Sequence, residues 1–299
     1  KKGLEKYKKN NLSKIFLKMN KKKVLSNYII KKLFKDGYCI VNNFISKSES
    51  EKKIRSLEKL NQSLSKNKRF VDENSRNGQL IIRDLPLRDP KNFLKLIDKK
   101  LVMNVLKKIF NEEFILDNCQ ASGSINVKKN YKTLVHIDSH LPCNSPENTS
   151  DIVICYCLNN FTKENGATKI WPKSHLSSTR IQNDKNYNKK IKKKFVYGEA
   201  KKGSIIFFLG QTWHQIGKNT DSNIRWGILC HYKRWWIKPS TDWTKCGPKI
   251  FNLLNTQKKK LFGFTSISPK FNLKTKTRTL KTLRKSFQLN DNYFKTIQY

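Results

Sequence analysis

No Cys-x-x-Cys pair occurs in this 299-residue chain, although it holds seven cysteines. Cysteines paired at that spacing mark zinc ribbons and thiol redox motifs, and an even, regular set marks a secreted disulfide scaffold, so both classes are excluded. Cys155-Tyr156-Cys157 reads instead as packing on an apolar strand. No apolar run approaches the roughly 20 residues needed to span a bilayer. Lysines interrupt the first thirty residues too often for a signal-peptide core. The expected compartment is therefore a reducing cytoplasm. Acidic residues are scarce, 22 against 63 basic ones, which leaves a formal net charge of +41. Arginine is scarce too, at ten of the 63, and arginine is the side chain preferred for bidentate recognition of phosphates and bases. The lysines are scattered, including those of Lys189 to Lys194 and Lys258 to Lys260. This distribution describes a solvated surface with salt-sensitive, non-specific adhesion to polyanions, and no specific nucleic-acid partner is expected.

The apolar pattern changes period along the chain. Residues 1–23, rich in Lys and Asn, read as a basic, disordered leader. Val24 to Phe34 has helical spacing that stops at Gly37, and Tyr38 to Val41 reads as a strand. Ser48 and Glu51 form a capping box ahead of Ile54, Leu57, Leu60 and Leu64, which are spaced as an amphipathic helix. A further helical stretch opens at Asp89-Pro90 and runs, with or without a break, to Ile109. Beyond it the pattern becomes short strands: Phe114 to Leu116, Ala121 to Val127, Thr133 to Ile137, Asp151 to Leu158, Ala167 to Trp171, Ser204 to Leu209, Trp213 to Ile216 and Ile224 to Tyr232. The fold class is thus mainly β with flanking helices, and that strand number suits a jelly roll. Ser177 to Tyr197 reads as a polar surface insertion over the barrel mouth. The division expected is one main domain at 24–247, with a helical part at 24–110 and a jelly-roll core at 114–237. A covering segment and basic tail follow at 248–299, of which 248–265 packs on the barrel as core or pocket cover.

His136-Ile137-Asp138 carries the chemistry. In an extended chain, residues two apart point to one side, so His136 and Asp138 can grip one metal while Ile137 faces the opposite layer. His214, after the buried run Gly203 to Leu209, supplies a third ligand. Two imidazoles and one carboxylate on one face of a metal leave the opposite positions open, as a mononuclear non-haem Fe(II) oxygenase requires. Arg225 follows eleven residues later, past a turn rich in Asn, Gly and Asp that describes a hairpin. Its planar fork suits a carboxylate, and the expected one is the distal carboxylate of 2-oxoglutarate.

These features resemble the phytanoyl-CoA dioxygenase family over most of residues 30 to 247. Leu33 to Ser46 looks like that family's opening helix, strand and turn. Glu164-Asn165-Gly166-Ala167-Thr168-Lys169-Ile170-Trp171-Pro172-Lys173-Ser174-His175 is similar to its loop ending in Pro-Gly-Ser-His, with Lys173 in place of the glycine. Gly203 to Phe208, then His214 through Asn219 to Arg225, resemble its distal-histidine segment. The resemblance implies a double-stranded β-helix that uses Fe(II), 2-oxoglutarate and O2, with ascorbate as a supporting reductant. It assigns His136, Asp138 and His214 to iron, as the catalytic centre, and Arg225 to the cosubstrate. It also implies hydroxylation with release of succinate and CO2 and names no substrate; a small or lipid-like organic molecule is the substrate expected. Family members often carry a small hydroxyl residue two positions after the distal histidine, and here that position is Ile216.

Rival readings attach to several residues. His140 competes as a ligand if its strand continues, which Pro142 opposes. His175 and His231 suit packing or substrate contact, and Trp213, Trp226, Trp235 and Trp236 suit core and pocket wall. A non-catalytic cupin-like metal-binding protein and a nucleic-acid-modifying dioxygenase are the alternative functions.

Overall fold

The computed structural model describes residues 24–68, 75–76, 78–126, 133–139, 145–177, 180–192, 194–266, 271–272, 274 and 277–278. The leader at 1–23, His140 and most of the tail beyond 266 lie outside the described residues.

In chain order the strands that build the site are β1 (Tyr38–Val41), β2 (Ser75–Arg76), β3 (Gln79–Ile82), β4 (Phe114–Ser124), β5 (Asp151–Cys157), β6 (Lys169–Ile170), β7 (Val196–Tyr197), β8 (Ile205–Leu209), β9 (His214–Gln215) and β10 (Arg225–Arg234). Seven of them form one antiparallel sheet in the order β1-β8-β5-β10-β4-β3-β2, and the other three form a small sheet in the order β7-β6-β9. The molecule is mainly β with flanking helices, as the pattern implied.

The large sheet separates two environments because strand side chains alternate. On β10, Trp226, Ile228, Cys230 and Tyr232 enter the main core, whereas Arg225, Gly227, Leu229 and His231 line a cavity on the other face. β5 divides likewise: Ile152, Ile154 and Tyr156 join the core, while Val153 and Cys155 face the cavity. Helices cover the core face. The helix over 24–36 contributes Ile29 and Leu33, Lys47–Leu64 contributes Leu57, and Lys100–Phe110 contributes Val102, Val105 and Leu106, all fully buried. Each such aliphatic side chain removed from water contributes roughly 1.5–3 kcal/mol.

Several elements differ from their expected limits, each for a physical reason. The cap of Lys47–Leu64 is Ser46 rather than Ser48. Its hydroxyl accepts the Glu49 N–H at 3.0 Å, and the preceding Phe44 and Ile45 amides are held by the Gly203 carbonyl. The stretch after Asp89 does break. Pro90–Phe93 ends before Lys100–Phe110 begins, and the intervening Leu96 and Ile97 carbonyls accept the buried hydroxyls of Tyr156 and Tyr232 at 2.7 and 2.8 Å. A buried tyrosine needs such a partner. Phe114 to Leu116 and Ala121 onward are one eleven-residue strand, whose ladder with β10 shifts between His231 and Tyr232. Thr133 to Ile137 is no strand: among the described residues it makes a single bridge, His136 to His214. His214 to Arg225 is no hairpin either, because β9 and β10 belong to different sheets. Asn219 pins the crossing, its amide donating to the Ser124 and Asn223 carbonyls at 2.7 and 3.0 Å.

The segment after Pro248 folds as Gly247–Phe251 and Thr256–Leu261, and Phe251, Leu261, Phe262 and Phe264 enter the main core. None of them lines the cavity, so among the described residues this segment is packing and not pocket cover. Trp213 and Trp226 are buried as expected, but Trp235 and Trp236 are 46% and 55% exposed, and none of the four lines the cavity.

Lys173 adopts φ +64°, the left-handed region in which a side chain is crowded. It occupies the position at which the resembled loop carries glycine. Lys173→Gly is expected to stabilise the protein by about 0.5–1 kcal/mol, the strain relieved outweighing the added freedom of the unfolded chain. Chemical denaturation checks this, and an unchanged or lowered midpoint contradicts it.

Candidate metal and cosubstrate site

The two sheets face each other across a cavity of about 570 Å³, a volume in the range of small-molecule sites. Its large-sheet wall holds Arg225, His231 and Leu229, with Gln120 and Ser122 from β4. The opposite wall holds His136, Asp138, His214 and Ile216. The crossing between β9 and β10 therefore sets the histidine and the arginine on opposing walls, which a hairpin would have kept in one sheet.

Among the described residues, His136, Asp138 and His214 form the cluster able to hold a metal ion, with one ligand atom from each all within 4.8 Å of one another. Asp138 Oδ1 lies 3.6 Å from His136 Nε2, and Oδ2 lies 3.5 Å from His214 Nε2. These gaps are too long for good hydrogen bonds and suit a shared ion. The orientation of both rings supports that fit. His136 Nδ1 sits 3.0 Å from the Leu134 carbonyl and His214 Nδ1 3.0 Å from the Thr212 carbonyl. A carbonyl only accepts, so each Nδ1 carries the proton and each Nε2 offers its lone pair to the centre. Burial pushes His214 down to about 4 against the opposing pull of Asp138, keeping it neutral. Burial also opposes the Asp138 charge, but His214, His231, His136 and Lys233 outweigh it and hold the carboxyl below its usual range.

Local hydrogen bonds fix the segment that carries His136 and Asp138 although it is not a strand. The Asp138 and Ser139 amides both donate to the Gly210 carbonyl, at 2.9 and 3.0 Å. Gly210 must be glycine: a Cβ there would lie 1.4 Å from Asp151 Oδ1. From the other side the polar insertion holds the segment. Gln182 exchanges hydrogen bonds with the Ile137 amide and carbonyl, and the Tyr187 hydroxyl accepts the Val135 N–H at 2.7 Å. Ile137 packs with Val135, Trp171, Ile181 and Trp213, away from the cavity. The insertion thus grips the segment that carries His136 and Asp138 as well as facing solvent, and Gln182 also lines the cavity. A lysine-rich stretch gave no signal of that role.

Arg225 is 4% exposed. Its Nη2 donates to the Gly166 carbonyl at 2.8 Å, and its guanidinium lies 4.1 Å over the Phe161 ring. Its fork is thereby held in the cavity wall, where it can meet a carboxylate. His175 is fully buried with Nε2 3.0 Å from the Phe34 carbonyl, a packing role. His231 does face the cavity. Gln79, Gln120, Ser122 and Thr168 also line it and escaped the sequence reading. The only signal for two of them was the period-two placement of Gln120 and Ser122.

The His214 shift sets a pH dependence for the metal-free protein. The unfolded imidazole titrates near its ordinary 6.5 and the folded one near 4, so the unfolded state binds more protons between those values. The stabilising contribution is fully present above the unfolded value and is lost as pH falls toward the folded one. Metal-free protein is expected to lose more Tm between about pH 7 and 5 than His214→Gln does. Equal losses in calorimetric scans would contradict this.

Comparison with known proteins agrees with this geometry. The family model described as "Phytanoyl-CoA dioxygenase (PhyH)" matches residues 33–227. A curated relative, "Dioxygenase af480" of Aspergillus fumigatus, is 31% identical over 116 residues, 38% of this chain. The match spans only about a third of that relative's length, 36%. Among solved structures, the epimerase SnoN in complex with Fe3+, alpha ketoglutarate and nogalamycin RO has a TM-score of 0.58 at 16% identity, covering 73% of this chain and 87% of its own. HygX from Streptomyces hygroscopicus with nickel and 2-oxoglutarate bound has a TM-score of 0.55 at 12% identity, covering 71% and 88%. At such identities these two likenesses concern the fold. With the family model spanning most of the chain, from the opening helix past Arg225, this protein belongs to the phytanoyl-CoA dioxygenase family.

Proposed function

We propose that the protein is an Fe(II)- and 2-oxoglutarate-dependent dioxygenase that hydroxylates a small or lipid-like organic substrate, releasing succinate and CO2. The observation that carries this reading is the convergence of two Nε2 atoms and one carboxylate across the cavity from a buried arginine. His136, Asp138 and His214 would hold iron, and Arg225 would hold the distal carboxylate of 2-oxoglutarate. When bound, the iron supplies O2 activation coupled to decarboxylation of the cosubstrate. The chain's own residues do the positioning. The Leu134 and Thr212 carbonyls fix the two imidazoles, the Gly210 carbonyl fixes Asp138, and Ile81, Val153, Phe208 and Leu229 supply apolar walls around the reacting centre.

The facing seven- and three-stranded sheets support a double-stranded β-helix as the finer description of the fold. Residues 24–247 are proposed as the catalytic unit, with 248–266 packed on its core. Among the described residues no helix is long and apolar enough to cross a membrane. The described cysteines are free, which supports a reducing, cytoplasmic setting. Arg225 is the one lysine or arginine among the described residues that line the cavity. In so basic a chain this favours a small substrate of low charge over a nucleic acid, whose phosphates need several cationic contacts.

The test is incubation with Fe(II), 2-oxoglutarate, ascorbate and O2, with succinate as the first readout. A mass-spectrometric metabolite screen for the gain of one oxygen is the second. No succinate formation would return the protein to the non-catalytic metal-binding alternative. Because Asp138 fills the position that halogenating relatives leave to a halide, a chlorinated product would refute hydroxylation. A product of unchanged mass would indicate an isomerising reaction.

A further inference from the structure

The geometry points to Thr168 as the second donor to the cosubstrate's distal carboxylate, supplying from the paired strand the hydroxyl that Ile216 lacks. This rests on the proposed binding of 2-oxoglutarate at Arg225.

A carboxylate offers about four lone-pair sites, and the guanidinium fork satisfies two of them at most. In a partly apolar cavity the remaining sites need another donor, because an unsatisfied anionic oxygen keeps its full desolvation cost. Ile216, two residues past His214 and on the same side of the chain, lines the cavity but has only methyl groups to offer. The ladder between β6 and β9 identifies its neighbour. Ile170 pairs with His214 and Lys169 with Gln215, so one step further the ladder sets Thr168 opposite Ile216. The same register recurs beyond it at the antiparallel bridge between Asn165 and Asn219, so Thr168 and Ile216 lie opposite each other between two paired points. Directly opposed residues carry their Cβ atoms about 4.5–5.5 Å apart on one face. The Thr168 side chain therefore shares the face of Ile216, and both line the cavity.

The same segment reaches the arginine. Gly166, two residues before Thr168, accepts the Arg225 Nη2 hydrogen bond at 2.8 Å. One short stretch of chain thus fixes the guanidinium through its backbone and brings a hydroxyl to the same end of the cavity. Thr133, which also lines the cavity, is the competing hydroxyl. It lies on the far side of β9, where the His136–His214 bridge sets its segment, away from Gly166.

The test is anaerobic calorimetric titration of the Fe(II)-loaded full chain with 2-oxoglutarate, and with 2-oxovalerate, which keeps the keto acid end and lacks the distal carboxylate. Thr168→Val, nearly isosteric, is expected to weaken 2-oxoglutarate binding about tenfold and to leave 2-oxovalerate binding unchanged. Thr168→Ser should bind 2-oxoglutarate as the wild type does, and adding Ile216→Thr to Thr168→Val should restore much of the loss. Thr133→Val should leave both ligands unaffected. Wild-type affinity in Thr168→Val, equal loss of both ligands, or a loss in Thr133→Val alone would each overturn the assignment of Thr168 and leave the broader function standing. A wild-type protein that takes up iron but no 2-oxoglutarate would overturn both.

Discussion

His214→Ala is expected to strip the protein of iron and abolish 2-oxoglutarate turnover, with metal affinity reduced by more than about a hundredfold. Its ring contributes one of the three donor atoms of the cluster, and the remaining pair, His136 and Asp138, comes from a single short segment that cannot enclose an ion alone. The fold should survive. The imidazole's own anchor is one local hydrogen bond to the Thr212 carbonyl, and its ring lies beside those of Phe208 and His136. The backbone bridge to His136, in which each residue's N–H donates to the other's carbonyl at 3.0 Å, does not depend on the side chain. Metal analysis after loading and gel filtration, with circular dichroism as the control for folding, reads the result. Full turnover by the variant would remove His214 from the site.

Arg225→Lys should raise the apparent KM for 2-oxoglutarate by about tenfold or more, ~1.4 kcal/mol or above, with the charge retained. The structure gives the reason in three contacts. The guanidinium donates to the Gly166 carbonyl, lies over Phe161 and faces the cavity at once. A lysine ammonium is a single point and cannot replace a planar fork that does all three. Arg234 and Lys169, two other cations of the chain, are engaged elsewhere. Arg234 pairs with Glu112 and bonds the Thr149 carbonyl, and the Lys169 ammonium lies 5.1 Å from the Phe195 ring centre. Steady-state kinetics against 2-oxoglutarate checks the prediction, and an unchanged KM would put the carboxylate somewhere other than Arg225.

His136, Asp138, His214 and Arg225 could be read from the sequence because their chemistry is carried by residue type and close spacing. Two ligands separated by one residue need only an extended backbone to meet, and that condition held even though Thr133 to Ile137 forms a bridge and not a strand. The alternation along β5 and β10 was equally plain, since period two is fixed by the pleat. What the sequence could not supply was how the segments cross. The pattern implied a hairpin from His214 to Arg225, whereas the chain passes between two sheets at Asn219 and so sets the histidine and the arginine on opposing walls. Local turn composition does not distinguish the two, because Asn, Gly and Asp serve a tight turn and a sheet crossing alike.

By itself, then, the sequence carried the resemblance to the family in its motifs, the mainly β class in its local periodicity, and the candidate metal ligands in residue type and close spacing. Tertiary structure alone decided which neutral side chains share the cavity with them. Gln182 arrives from a lysine-rich insertion, Gln120 and Ser122 from the middle of β4, and Thr168 from the strand paired with β9. Their roles depend on register and on packing between distant segments, which the one-dimensional pattern does not encode.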